Sequence, residues 1–255
     1  MVQVHEEQPK RKKVAILGFT DSWKLAPFND PSFEIWGLNE LYLFISQIQG
    51  GRYDRWFELH MQDGLLSDKK RSNAPPDAHI ENLKKLTCPI YMQQHWEDIP
   101  NSVTYPMAQI CEAFPNPAPG WKPYLTNSIS YMLAMSIMEG FEEIHVYGVD
   151  MSHDTEYSGQ RPSCEYFLGV AVGKGIKVYI PPTADLLKTV FFYGYEQLQE
   201  EGFDAKLKAR VAELQGKANA LQNELNEKNN ALQQHLGALQ DCQHMVKNWR
   251  PLPSK

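Results

Sequence analysis

The sequence predicts a doubly wound α/β domain with a mostly parallel sheet, followed by a C-terminal coiled-coil helix. Short apolar runs alternate with helical patterns between residues 13 and 190, the order expected of βαβ units. Several of these runs are continuously apolar and end on Gly, Asn or His, as parallel strands buried on both faces do. From Phe203 onward the apolar residues instead recur with a seven-residue period, the mark of a helix that pairs along a narrow stripe.

The elements follow in order. Residues 1–12 read as a solvated arm carrying the basic run Lys10 to Lys13. Val14-Ala15-Ile16-Leu17-Gly18-Phe19 is a central strand. Thr20, Asp21 and Ser22 then make a small polar turn that can cap a short helix or offer backbone N–H groups to a phosphate or ribose. Phe33 to Asn39 is a second strand, and Asn39 stands at its carboxyl end, either to recognise a base or sugar or to cap a helix over Leu41 to Ile48. Arg55 to His60 is a third strand that again ends on a polar group. A long polar loop runs from Met61 to Pro76, a helix from Ala78 to Leu86, a fourth strand from Pro89 to Met92 and a helix near Tyr105 to Phe114. The proline-rich stretch Pro115 to Gly120 is a surface connection.

Thr126-Asn127-Ser128 opens a helix, Ile129 to Met138, that is apolar nearly all round and closes at Gly140. Its first residues serve equally as a cap and as an anion site, because a helix N-terminus presents free N–H donors and partial positive charge. A strand over Ile144 to Tyr147 follows, with a turn containing Gly148, Asp150, His153 and Asp154. Ligands of open parallel sheets bind where loops leave the carboxyl ends of strands, so this turn is a site candidate. The polar loop beyond it offers Tyr157, Arg161, Glu165 and Tyr166, with Arg161 as a planar fork for a phosphate or carboxylate. A last strand, Ile176 to Ile180, and a helix, Ala184 to Lys188, complete the domain, whose limits are 13–195.

Residues 196–248 form the predicted coiled-coil helix, and 249–255 an unstructured tail. Val211, Ala218, Leu225, Leu232, Leu239 and Val246 take one seam position. Leu207, Leu214, Leu221, Lys228, His235 and Cys242 take the other. So polar a helix is marginal alone, which predicts that it pairs, either with another copy as a homo-oligomer through residues 203–247 or, as the alternative, by folding back on the domain.

Composition narrows the function. A net charge of −6 gives no basic footprint for nucleic acid, and no run is long and apolar enough for a membrane span. Four scattered cysteines, Cys88, Cys111, Cys164 and Cys242, have no zinc-like spacing and suit reduced thiols, so the cytoplasm is the predicted location. The P-loop, the serine-hydrolase elbow, the zincin helix and the glycine-rich dinucleotide fingerprint are all absent from the sequence. Asp150, His153 and Asp154 are the donor types a divalent metal takes, in a grouping that chance also produces.

Val14 to Gly18 before a short polar turn, Ile35 to Tyr42, and Thr126-Asn127-Ser128 through to Tyr147-Gly148-Val149-Asp150 resemble the Rossmann-like bacterial sialyltransferases of glycosyltransferase family 42. They also resemble the related domain-of-unknown-function 115 proteins, which include pterin diphosphokinases, and the chain has the look of phage-encoded proteins. The resemblance covers about residues 13 to 182. It implies a cytidine monophosphate sugar as donor, a loop histidine as general base, and no metal or other cofactor. By position it puts Asn39, Thr126, Ser128, Gly148 and Asp150 around the nucleotide, and the chain's own turns and caps add Gly18, Thr20, Ser22, Asn127, Arg161 and Glu165 as nucleotide-binding candidates, although the Gly18 to Ser22 turn departs from the family's glycine-richer one. His153 would be the base, with His60 as the other candidate, and Tyr157 or Tyr166 would meet the leaving phosphate. The expectation is a nucleotide-sugar-binding, glycosyltransferase-like protein with an unknown acceptor. The alternatives are a non-catalytic nucleotide-binding module and a phage assembly protein, which in a phage would act in the host cytoplasm.

Overall fold

A computed structural model of the chain describes residues 11–60, 76–151, 155–189, 192–195 and 200–248. The long polar loop after His60, together with His153 and Asp154, lies outside these residues. The chain divides into two units, residues 1–188 and 189–255.

The first unit is built on a seven-stranded sheet in the order β5-β4-β3-β2-β1-β6-β7, and every pairing in it is parallel. The strands are β1 (Lys13–Leu17), β2 (Phe33–Leu38), β3 (Arg55–Phe57), β4 (Ile90–Met92), β5 (Ser102–Thr104), β6 (Glu143–Tyr147) and β7 (Lys177–Tyr179). β1 is central, and Val14 to Leu17 are wholly buried because helices cover both faces. On one face Val14, Ile16, Trp36 and Val146 pack against α4 (Ser128–Met138) and α5 (Thr155–Gly173). On the other, Ala15, Leu17, Ile35 and Trp56 pack with Tyr42 and Ile45 of α1 (Tyr42–Ile45) and Leu83 of α2 (Pro76–Leu83). A short α3 (Met107–Ala113) buries Ile110.

The strand order places a topological switch beside β1: the chain leaves β1 toward β2 and returns on its other side as β6. Here the two loops touch backbone to backbone. Gly18 N–H donates to Tyr147 O at 2.8 Å, Thr20 N–H donates to Gly148 O at 2.9 Å, and Gly148 N–H donates to Ser22 Oγ at 2.8 Å. A Cβ on either glycine would fall 2.4 Å from the carbonyl oxygen of the other, and Gly148 also holds a φ of +71°. Only glycine satisfies both conditions.

Several sequence expectations change. β5 was not anticipated, since Val103 is the one large apolar side chain in the strand and is itself exposed. The expected helix over Leu41 to Ile48 is a 3-10 turn, Asn39–Leu41, running into a single turn, Tyr42–Ile45. Its cap position is Leu38 without a side-chain cap bond, so Asn39 does not cap it. The polar stretch after Asp154 belongs to α5, which begins at Thr155 and contains Pro162. The expected helix over Ala184 to Lys188 is a series of turns, with Leu187 at φ +55°, a conformation a right-handed helix cannot contain.

In the second unit, α6 (Glu200–Asn248) runs for 49 residues. From Leu207 to Asn248 every residue except Arg210 is exposed. Intrahelical ion pairs join Lys217 to Glu213 at 3.0 Å and Lys228 to Glu224 at 2.6 Å. Among the described residues no helix is long and apolar enough to cross a membrane.

Candidate functional site

Five chain segments converge on a cavity of about 420 Å³ at the carboxyl edge of the sheet. The ends of β2 and β3 bring Leu38, Asn39, Leu59 and His60; the start of α4 brings Leu125 to Ile129 with Tyr131; Met151 after β6 and Gln160 of α5 close it. This is the crevice where an open parallel sheet takes its ligands.

Asn39 is held at φ +48°, and its carbonyl accepts the Trp56 indole N–H at 2.9 Å. Its Oδ1 is buried and has no hydrogen-bond partner among the described residues, a costly condition for a polar atom unless a ligand or water satisfies it. Met151 is also at φ +48°. Strained backbone of this kind persists where surrounding structure enforces it and clusters at ligand sites.

The N-terminus of α4 forms the opposite wall. Asn127 is its cap: Oδ1 accepts the Ser130 N–H at 3.0 Å, and Ser130 Oγ closes the reciprocal capping box. The Asn127 amide also donates to Gln160 O at 2.8 Å and Ser163 Oγ at 3.0 Å, and Thr126 Oγ1 pairs with Ser163 Oγ at 2.7 Å. Asn127 and Thr126 therefore spend their side chains tying α4 to α5. The Ser128 and Ile129 N–H groups, the first two of the helix, have no intrahelical acceptor and belong to residues on the cavity wall. Among the described residues no Lys or Arg lines the cavity, and this helix end contributes partial positive charge to it.

Beneath His60 lies a network that sequence reading missed. Glu58 is buried, 1% exposed. Its Oε1 accepts from His60 Nδ1 at 2.6 Å and its Oε2 from His79 Nε2 at 2.9 Å, and Tyr42 OH meets His79 Nδ1 at 2.6 Å. These contacts fit one tautomer set: Tyr42 donates to His79 Nδ1, and each imidazole donates one N–H to the carboxylate. Burial by itself raises the Glu58 pKa, but the hydrogen bonds from His60 and His79 lead the effects that outweigh it and hold the group down at about 2. Burial pushes the Tyr42 phenol well above its ordinary value, which keeps it a donor. His79 is 3% exposed, whereas the His60 side chain is 43% exposed. Glu58 thus anchors an imidazole at the cavity wall through its Nδ1. The available signal was Glu58 itself, a carboxylate set between the apolar Trp56-Phe57 and Leu59.

The other sequence-nominated residues are distributed as follows. Gly18, Thr20, Ser22 and Gly148 form the contact between the β1 and β6 loops and do not line the cavity. Thr20 Oγ1 is buried there and has no hydrogen-bond partner among the described residues. Asp150, adjacent to Met151, has Oδ1 buried and is not a lining residue. Arg161 Nε donates to Glu165 Oε1 at 2.8 Å and its NH2 group to Asp185 O at 2.8 Å, while Glu165 Oε1 accepts the Leu187 N–H at 3.0 Å. That pair secures the turns over Asp185 to Leu187 rather than facing the cavity. Tyr166 packs edge-on against Tyr124, at 6.0 Å between centroids, beside the proline-rich connection. His153 lies outside the described residues, as does the side chain of Tyr157. Among the described residues no group of three or more His, Cys, Asp or Glu side chains is placed to hold a metal ion.

No protein-family model and no curated protein sequence matches this chain. Among solved structures, the sialyltransferase CstII of Campylobacter jejuni, in complex with a substrate analogue named as cytidine-5'-monophosphate, aligns at 16% identity and a TM-score of 0.44, covering 69% of this chain and 83% of that one. An alpha-2,3-sialyltransferase from Campylobacter jejuni in apo form aligns at 14% identity and 0.42, covering 78% of this chain and 95% of that one. The monofunctional alpha-2,3-sialyltransferase Cst-I of the same organism aligns at 11% identity and 0.43, with coverage of 78% and 95%. At these scores the likeness bears on neither activity nor site, which are read from this chain's own residues.

Proposed function

We propose that the chain binds a nucleotide-sugar in the cavity between β2, β3 and the start of α4, and transfers the sugar to an acceptor hydroxyl with His60 as general base. The observation that carries this reading is the imidazole at the cavity wall with its Nδ1 held by a buried, ionised carboxylate. Such a partner fixes the ring and stabilises the imidazolium formed when Nε2 takes a proton.

In this reaction the acceptor oxygen bonds to the anomeric carbon, its proton passes to His60 Nε2, and the bond from that carbon to the phosphate oxygen breaks. The departing nucleotide carries the negative charge, which the Ser128 and Ile129 N–H groups meet at the helix end. Asn39, with an acceptor and a donor on one amide, faces the base or sugar. Thr126, Asn127 and Ser128 then act together, the first two by holding the helix end in place. No metal or other cofactor enters the transfer written this way. The long helix presents the domain as a homo-oligomer.

A thermal-shift series with cytidine, uridine, guanosine and adenosine monophosphates is expected to show stabilisation by at least one of them, and no shift with any would favour an assembly role. Given a binding nucleotide, hydrolysis of the corresponding nucleotide-sugar should fall by about 100-fold or more in H60A with nucleotide affinity retained. Unchanged hydrolysis in H60A together with its loss in H153A would move the base to His153. Binding without hydrolysis in the wild-type chain would leave a non-catalytic nucleotide-binding module.

A further inference from the structure

The exposed stripe of α6 does not follow one unbroken heptad, and its interruption selects a partner. From Leu207 the apolar positions step by four and three residues in turn, through Val211, Leu214, Ala218, Leu221 and Leu225. Continued unchanged, the pattern brings Lys228, His235 and Cys242 into the seam and leaves Leu236, a large side chain 41% exposed, outside it. Lys228 pairs with Glu224 one turn back on its own helix at 2.6 Å, the arrangement of a solvated flank.

Two consecutive four-residue steps, Leu221 to Leu225 to Asn229, remove the conflict. Beyond them the seam runs through Leu232, Leu236, Leu239, Gln243 and Val246, and Lys228 and His235 fall on the flank. Such a four-residue insertion locally unwinds a coiled coil without ending it.

From this, and resting on the reading of residues 200–248 as an oligomerising helix, we infer that α6 pairs with α6 of a second copy as a parallel, in-register two-stranded coil whose register shifts at Leu225, with Asn229 facing Asn229. Val211 at one core position, with leucines at Leu207, Leu214 and Leu221 in the other, favours two strands, and a buried asparagine fixes register at a cost in stability. In an antiparallel pair Asn229 would sit opposite leucine and lose its amide partner. The large aliphatic side chains of the stripe, from 41% exposed at Leu236 to 83% at Val246, offer on the order of 800 Å² per helix, the size of one side of a stable interface. The narrowness of the stripe, flanked by Gln, Asn and Lys, matches a second helix of the same kind.

Sedimentation equilibrium of the full-length chain tests this. Wild type is expected to be a dimer at micromolar concentration, and a monomer would overturn both the pairing and the oligomer reading. Leu236→Ala is expected to weaken dimerisation by at least about thirtyfold, while His235→Ala and Lys228→Ala leave it unchanged. A dimer that His235→Ala weakens as strongly, with Leu236→Ala silent, would retain the oligomer and overturn the register shift. Asn229→Leu is expected to raise the melting temperature of the helix and admit higher oligomers, and a variant less stable than wild type would contradict a buried Asn229. Circular dichroism of each variant reports helix content independently of assembly.

Discussion

Replacing Glu58 with glutamine tests the network under the cavity in a way that separates charge from shape. In the native protein the carboxylate is buried between His60 and His79 and held at a pKa of about 2, against an ordinary value of 4.5. That depression of about 2.5 units corresponds to about 3 kcal/mol of preference for the charged form in the folded state. Glutamine keeps the volume and a neutral head, so at pH 7 E58Q is expected to be less stable than wild type by about that amount. The sign follows from the direction of the shift. A depressed carboxylate contributes its full stability above its unfolded value and loses it as pH falls through the folded one. The gap between wild type and E58Q should therefore narrow as pH falls below about 4.5, by about 1.4 kcal/mol per unit toward pH 2. Urea unfolding of both proteins across this range measures it. A gap below about 1 kcal/mol at neutral pH, or one that widens on acidification, would refute the account of Glu58 as an ionised anchor.

Two further substitutions probe the roles assigned around it. Gly148→Ala should destabilise the fold by more than about 2 kcal/mol, because a positive φ and a collision with the Gly18 carbonyl coincide there; a loss near the half kilocalorie of an ordinary surface change, read by urea unfolding, would argue against the close loop contact. Arg161→Ala should leave nucleotide affinity in a calorimetric titration unchanged while raising amide exchange around Leu187; a tenfold loss of affinity with unaltered exchange would return Arg161 to the binding site.

The sequence makes some of this architecture readable and hides the rest, for physical reasons. β1, β2 and β6 are visible because burial on both faces demands unbroken apolar runs such as Val14 to Leu17. β5 is not, since an edge strand of three residues with an exposed Val103 carries no such demand. The start of α5 hides among polar residues and behind Pro162. At the site, Asn39 and Thr126 to Ser128 stand out because strand ends and helix starts have local signatures. The partnership of Tyr42, Glu58 and His79 has none, because the bonds span 37 and 21 residues and exist only once α1, α2 and β3 pack together. For the same reason glycines at strand ends resemble a ligand loop in sequence, whereas Gly18 and Gly148 are used by each other.

The abutment of Gly18 and Gly148 also determines the direction from which a ligand can be served. With two backbones pressed together at the switch point, the floor between β1 and β6 is shut, and no phosphate chain can thread the first turn as it would over a glycine-rich loop. A bound molecule must lie to one side, across the ends of β2 and β3, under the start of α4. The closed seam thus leaves the ends of β2 and β3 as the open side of the crevice, and it does so with two residues that have no side chains at all.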